Sequence, residues 1–108
     1  MTKKNQVLAL TINKELVEFE YQEQFEIMQK AVDAARLHHR ILIKYQKLDG
    51  KEPQWRSVAP YSYKPEHGSG GGILYAEQGG RIKSFALYQI TEVKQTEDIF
   101  TPQWPVEL

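Results

Sequence analysis

The sequence predicts a mostly β domain with one N-terminal amphipathic helix, organised as an Sm-like, SH3-type five-stranded barrel and preceded by an extra β-hairpin. Three observations lead to that class. The stretch Gln22 to His39 contains neither glycine nor proline and carries apolar residues three or four apart, the period of a helix with one buried stripe. Residues 40 to 96 then change to short β-rich runs separated by glycine and proline signals, which read as five strands. A helix followed by five strands is the element order of such a barrel. The chain has 108 residues, enough for one domain with a modest core and small enough for pairing with a second copy to add stability.

In chain order, Val7 to Ile12 and Leu16 to Tyr21 read as two strands of a hairpin around Asn13, Lys14 and Glu15. The helix is predicted over Gln22 to His39, with Phe25, Met28, Val32, Ala35 and His39 as its apolar stripe. Its acidic start (Glu23, Glu26) and basic end (Arg36, His38, His39, Arg40) both suit the helix dipole. The barrel, residues 40–96, opens with Arg40 to Tyr45, where Ile41, Ile43 and Tyr45 share a face. A turn at Leu48 to Lys51 follows, carrying the Asp49-Gly50 hairpin signal, and then a strand at Trp55 to Ala59. Pro60, Pro65 and the run Gly68 to Gly72 predict a loop, the best candidate for a mobile segment. Ile73 to Glu77, a Gln78-Gly79-Gly80 turn, Arg81 to Leu87 and Ile90 to Gln95 supply three more strands. Residues 97–108, with Phe100, Trp104 and two prolines, predict an extended tail lying across the barrel.

Lysine plus arginine equals aspartate plus glutamate, 14 against 14, so the overall field neither gathers nor repels polyanions. Positive charge is concentrated in the middle of the chain, where Arg36, Arg40, Lys44, Lys47, Lys51, Arg56 and Lys64 face only Asp49 and Glu52. The absence of cysteine excludes disulfides and thiolate metal sites and is compatible with a reducing cytoplasm, the expected location. No apolar run approaches a membrane span, and Met1 to Gln6 lacks a signal-peptide stretch.

Motifs for catalysis are missing: there is no nucleophile elbow, paired-carboxylate motif or metal-ligand spacing, so the expectation is a protein that is not an enzyme and needs no cofactor. His38 and His39 are adjacent, about 100° apart on a helix, and cannot chelate as an i, i+4 pair. The glycine run lacks the Gly-Lys-Ser/Thr ending of a phosphate-binding loop.

Three pieces, Arg40 to Tyr45 (RILIKY), Arg56 to Pro60 (RSVAP) and Leu74 to Ile90 (LYAEQGGRIKSFALYQI), occur together in an order that resembles a WYL domain, the small ligand-sensing barrel of bacterial transcription regulators. The resemblance covers about Phe25 to Thr96. It leaves Val7 to Tyr21 as an addition and shows none of the DNA-binding helices such domains accompany, so a stand-alone member is expected. Gly72, Ile73 and Leu74 stand where the family tripeptide would be. Lys83 and Gln89 replace two family arginines, and lysine lacks the bidentate fork that arginine offers a phosphate.

The resemblance implies an anionic ligand, a nucleotide or short single-stranded nucleic acid, with the state passed to a partner in transcription or defence regulation. Arg56, Arg81 and Lys83 would supply charge, Ser84 and Gln89 hydrogen bonds, and Tyr75 and Tyr88 stacking surfaces. The alternative is a protein-interaction or homodimerisation module, in which the added hairpin and the Phe100 to Trp104 tail form the contact surface and the barrel takes no small ligand.

Overall fold

The computed structural model describes residues 24–65 and 71–108; the expected hairpin at Val7 to Tyr21 and the centre of the glycine-rich loop, residues 66–70, lie outside the described residues. Residues 24–37 form a helix, α1. Five strands follow: β1 (His39–Tyr45), β2 (Gln54–Lys64), β3 (Ile73–Gln78), β4 (Arg81–Ala86) and β5 (Ile90–Ile99), with a 3-10 turn at Leu87–Gln89 between the last two. The sheet is antiparallel in the order β4-β3-β2-β1-β5.

Among the described residues the mostly β, single-helix expectation holds, but the expected barrel is not closed by hydrogen bonds: β4 and β5 are the two ends of the strand order and do not pair. The bend of the sheet lies in β2. Its first half, Gln54 to Val58, pairs with β1, while its second half, Ala59 to Lys64, pairs with β3. A register shift between Pro60 and Ser62 marks the second ladder. An irregularity of this kind bends a strand and raises its twist, so the sheet curves at β2.

Pro60 therefore lies inside a strand and not in the loop expected after Ala59. The β1 ladder has ended by Val58 and the shift begins at Pro60, so the missing N–H falls where the regular ladder is interrupted. The ring is fully buried. At the far end of this hairpin Gly72 has φ +131°, and a Cβ there would meet Tyr63 Cε1 at 2.5 Å. Only glycine fits that conformation beside that ring.

Helix α1 stops two residues short of the expected His39. His38 leaves the helix with φ 55°, sets its ring tilted against Phe100 with centroids 5.6 Å apart and accepts the Phe100 N–H at its carbonyl, and His39 starts β1. The buried stripe of α1 is also rotated from the expected one. Ile27, Ala31, Ala34 and Ala35 are buried, whereas Phe25 is 65 % exposed. Both stripes have helical spacing; the alanine-rich one wins because small side chains let the helix axis approach the sheet closely.

Against the sheet's inner face, Ile27, Ala31 and Ala34 pack with Ile41, Ile43, Val58, Leu74, Ala76, Phe85, Leu87, Ile90 and Val93. Strand alternation explains this membership, since Ile41 and Ile43 face inward together and pair with Val58 and Arg56. A second, smaller cluster of Ala59, Tyr61 and Phe100, with Val106 against it, lies on the outer face. β5 runs to Ile99, so the first residues of the expected tail are strand, and the extended segment begins at Phe100.

Candidate functional site

The inner face of β2, β3 and β4 changes character along its length. Leu74 pairs with Phe85, Ala76 with Lys83 and Gln78 with Arg81. Phe85 and Lys83 are two apart and Arg81 two further, so alternation sets all three on one face, apolar at one end and basic at the other. Arg56 joins them from β2, two residues from the buried Val58.

The Arg56 guanidinium lies 5.3 Å from the Tyr45 ring centroid and 5.8 Å from that of Phe85, and these two rings meet edge to face at 5.1 Å. Aromatic faces hold a cation at that separation while leaving its N–H groups free to donate. One of them, Nη1, donates to Gln78 Oε1 at 3.3 Å, and Lys83 Nζ approaches the same oxygen at 3.5 Å. The Gln78 carboxamide therefore stands between two cations that would otherwise repel. Both contacts are long, so either cation can turn to a better acceptor at little cost. Among the described residues the ion pairs are Arg40 with Glu77 and Lys44 with Glu92; Arg56, Arg81 and Lys83 take part in neither.

The remaining residues expected at the site are elsewhere. Ser84 and Tyr75 pair across β4 and β3 on the opposite, outer face, where Tyr75 lines a groove with Tyr61 and Trp104. Tyr88 is 56 % exposed on the 3-10 turn. Gln89 is occupied by the fold: its Nε2 donates to the Gln46 carbonyl at 2.7 Å while its own carbonyl accepts the Gln46 N–H at 2.8 Å, tying the β1–β2 connection to the turn before β5. Gln78 was not a sequence candidate. A polar residue with inward parity at the end of an apolar strand, facing Arg81, is the signal that could have found it.

The outer face carries a structural counterpart. Arg40 donates from Nη1 to Glu77 at 2.7 Å, from Nε to the Ser57 hydroxyl at 2.9 Å and from Nη2 to the Ser57 carbonyl at 2.9 Å, joining β1, β2 and β3. Burial alone would raise the Glu77 carboxyl. The hydrogen bond from the Gly80 N–H, with the hydrogen bond and charge of Arg40, outweighs it and holds the group below its ordinary value. Glu77 thereby holds the Gly79-Gly80 turn next to Gln78. No group of three or more His, Asp or Glu side chains among the described residues converges in a metal-binding arrangement, and no helix among them is long and apolar enough to cross a membrane.

The described residues thus form an antiparallel sheet packed against a helix, with Arg56, Lys83 and Arg81 at one end of its inner face. A family model for the WYL domain matches residues 26–95, more than half of the chain. The protein belongs to the WYL domain family, a family of regulatory, ligand-sensing domains. No curated protein matches the sequence. Among solved structures, proteasome accessory factor B/C (PafBC) of Arthrobacter aurescens superposes with a TM-score of 0.63 at 15 % identity. The match covers 78 % of this chain and 14 % of that one, so the likeness is one of fold and concerns a small part of the larger protein.

Proposed function

We propose that the domain is a sensor that binds an anionic ligand, a nucleotide or a short single-stranded nucleic acid, at the inner-face mouth and passes the state to a protein partner in regulation. The observation that carries this reading is the convergence of Arg56, held over the Tyr45 and Phe85 rings, with Lys83 on Gln78, and Arg81 on the same face. Phosphate oxygens would replace Gln78 as acceptors for Arg56 and Lys83, and Arg81 would add charge from the end of β4. Tyr88, exposed beside β4, is the stacking candidate that remains; Tyr75 and Ser84 belong to the other face and have no part in this site.

The test is fluorescence anisotropy of labelled single-stranded DNA and RNA at two salt concentrations, with duplex DNA as control. Saturable binding that prefers single strands and weakens with salt supports the reading. The Arg56→Ala and Lys83→Ala variants should each weaken binding and lower the salt slope by about one. Wild-type affinity and slope in both variants would remove this mouth as the site.

A second reading, a protein-interaction module without a small ligand, is supported by Phe25, Leu37 and Ile99, which are 65 %, 64 % and 75 % exposed. Phe100 does not contribute to such a surface, because it is buried against Tyr61 and His38.

A further inference from the structure

The groove on the outer face has the opposite chemistry to the inner mouth. It is an open groove of about 390 Å³ lined by Tyr61, Ser62, Tyr75, Ile82, Trp104, Pro105 and Glu107. Three of these are aromatic, one is a carboxylate and none is basic. The Tyr61 and Trp104 rings meet edge to face, at 79° with centroids 5.6 Å apart, so the buried Tyr61 backs the corner while Trp104, 40 % exposed, supplies accessible aromatic surface. Tyr75 comes from β3, beside Ser62 in the ladder, as a further aromatic side.

This corner is held by the chain on both sides of Trp104. The Gln103 N–H donates to the Tyr61 hydroxyl at 3.1 Å, and the Glu107 N–H donates to the Tyr61 carbonyl at 2.7 Å. Both ends of the segment 103–107 are thus anchored to one residue of β2, which is itself only 4 % exposed. The same anchor fixes the Glu107 backbone at the rim. Among the described residues its carboxylate has no ion-pair partner.

The electron-rich faces of aromatic rings attract cations, and a rim carboxylate adds charge complementarity. A strongly hydrated ammonium loses more on entering such a corner than an alkylated one, whose charge is spread over methyl groups that also fill apolar space. We propose that the corner formed by Trp104 and Tyr75 over the buried Tyr61, with Glu107 at its rim, is a binding site for an alkylated organic cation, a compact quaternary ammonium head group. The site is independent of the inner-face mouth, so the domain carries an anion-attracting face and a cation-attracting one on opposite sides of one sheet.

The test uses the Trp55→Phe protein, in which Trp104 is the remaining tryptophan and its emission reports on the groove. Choline chloride is titrated at constant ionic strength against its neutral isostere 3,3-dimethylbutan-1-ol. Saturable change in the millimolar range or below, with choline at least about tenfold tighter than the alcohol, supports the site. Glu107→Gln and Tyr75→Leu, with unchanged far-UV circular dichroism, should each weaken choline by about threefold to tenfold while leaving the alcohol nearly unaffected. Equal binding of choline and the alcohol would reduce the corner to an apolar groove and overturn the proposal, as would the absence of a saturable response to choline. N-acetyl-trimethyllysine amide distinguishes the source: tighter binding than choline assigns the head group to a modified side chain, weaker binding to a free small molecule, and both outcomes retain the cation site.

Discussion

Removing Arg40 should destabilise the domain by about 2 kcal/mol, a figure set by where its three hydrogen bonds lie. An exposed ion pair contributes roughly 0.2–1 kcal/mol and a hydrogen bond to a charged group in a protected site roughly 1.5–3. The Arg40 and Glu77 side chains are 23 % and 17 % exposed, between those limits, and the three contacts at 2.7, 2.9 and 2.9 Å span three strands. In Arg40→Ala, water can reach Glu77 and the Ser57 carbonyl, and Glu77 keeps the Gly80 N–H, so the full cost of orphaned buried groups does not apply. For a domain of this size about 2 kcal/mol lowers Tm by roughly 8–16 °C. Urea unfolding followed by tryptophan emission measures the change, and a cycle with Glu77→Ala should return a coupling energy of about 1 kcal/mol. Loss below about 0.5 kcal/mol in Arg40→Ala, or strict additivity in the cycle, would refute the claim that this network joins the strands.

Three further outcomes are expected. Gly72→Ala should cost at least about 2 kcal/mol, because its φ of +131° is compounded by contact with Tyr63 and the Lys64 carbonyl, whereas Gly50→Ala, at φ +79° in open space, should cost about 1; chemical denaturation of the two variants compares them directly. Phe85→Ala should destabilise by about 3–5 kcal/mol, and the milder Phe85→Leu should keep the fold while removing one ring beneath Arg56, weakening oligonucleotide anisotropy more than stability. Glu77 also predicts an acid limb. Its carboxyl is lowered in the folded state, so its contribution is complete above the unfolded value, roughly 4.3, and is lost as pH falls through the lower folded value. Glu77→Gln should flatten that limb in an acid titration of stability, and an unchanged limb would assign it to other carboxylates.

Much of the fold was legible because strand alternation and turn chemistry are local. Ile41 and Ile43 face the core as their spacing requires, and Asp49-Gly50 and Gly79-Gly80 turn the chain where expected, with positive φ at each glycine. The same alternation sets Lys83 and Arg81 beside Phe85 and turns Ser84 away from them, so the division of the candidate site between two faces was already contained in the order RIKSF. Gln89 was misleading because its engagement with Gln46 joins positions 43 residues apart, which no local pattern displays.

The sequence by itself determined the strand periods, the turns and the family, since each rests on neighbours along the chain and on motifs in fixed order. The tertiary structure decided which of two helical stripes is buried, because the choice between Phe25 and the alanine face depends on how closely a sheet approaches the helix. It also carried β2 through Pro60, since a strand can accommodate that ring only where its two ladders change over. Finally it brought Arg56 to Gln78, which Lys83 already approaches across the β3–β4 turn, and Trp104 against Tyr61, contacts of Arg56 and Trp104 whose partners lie far apart in sequence.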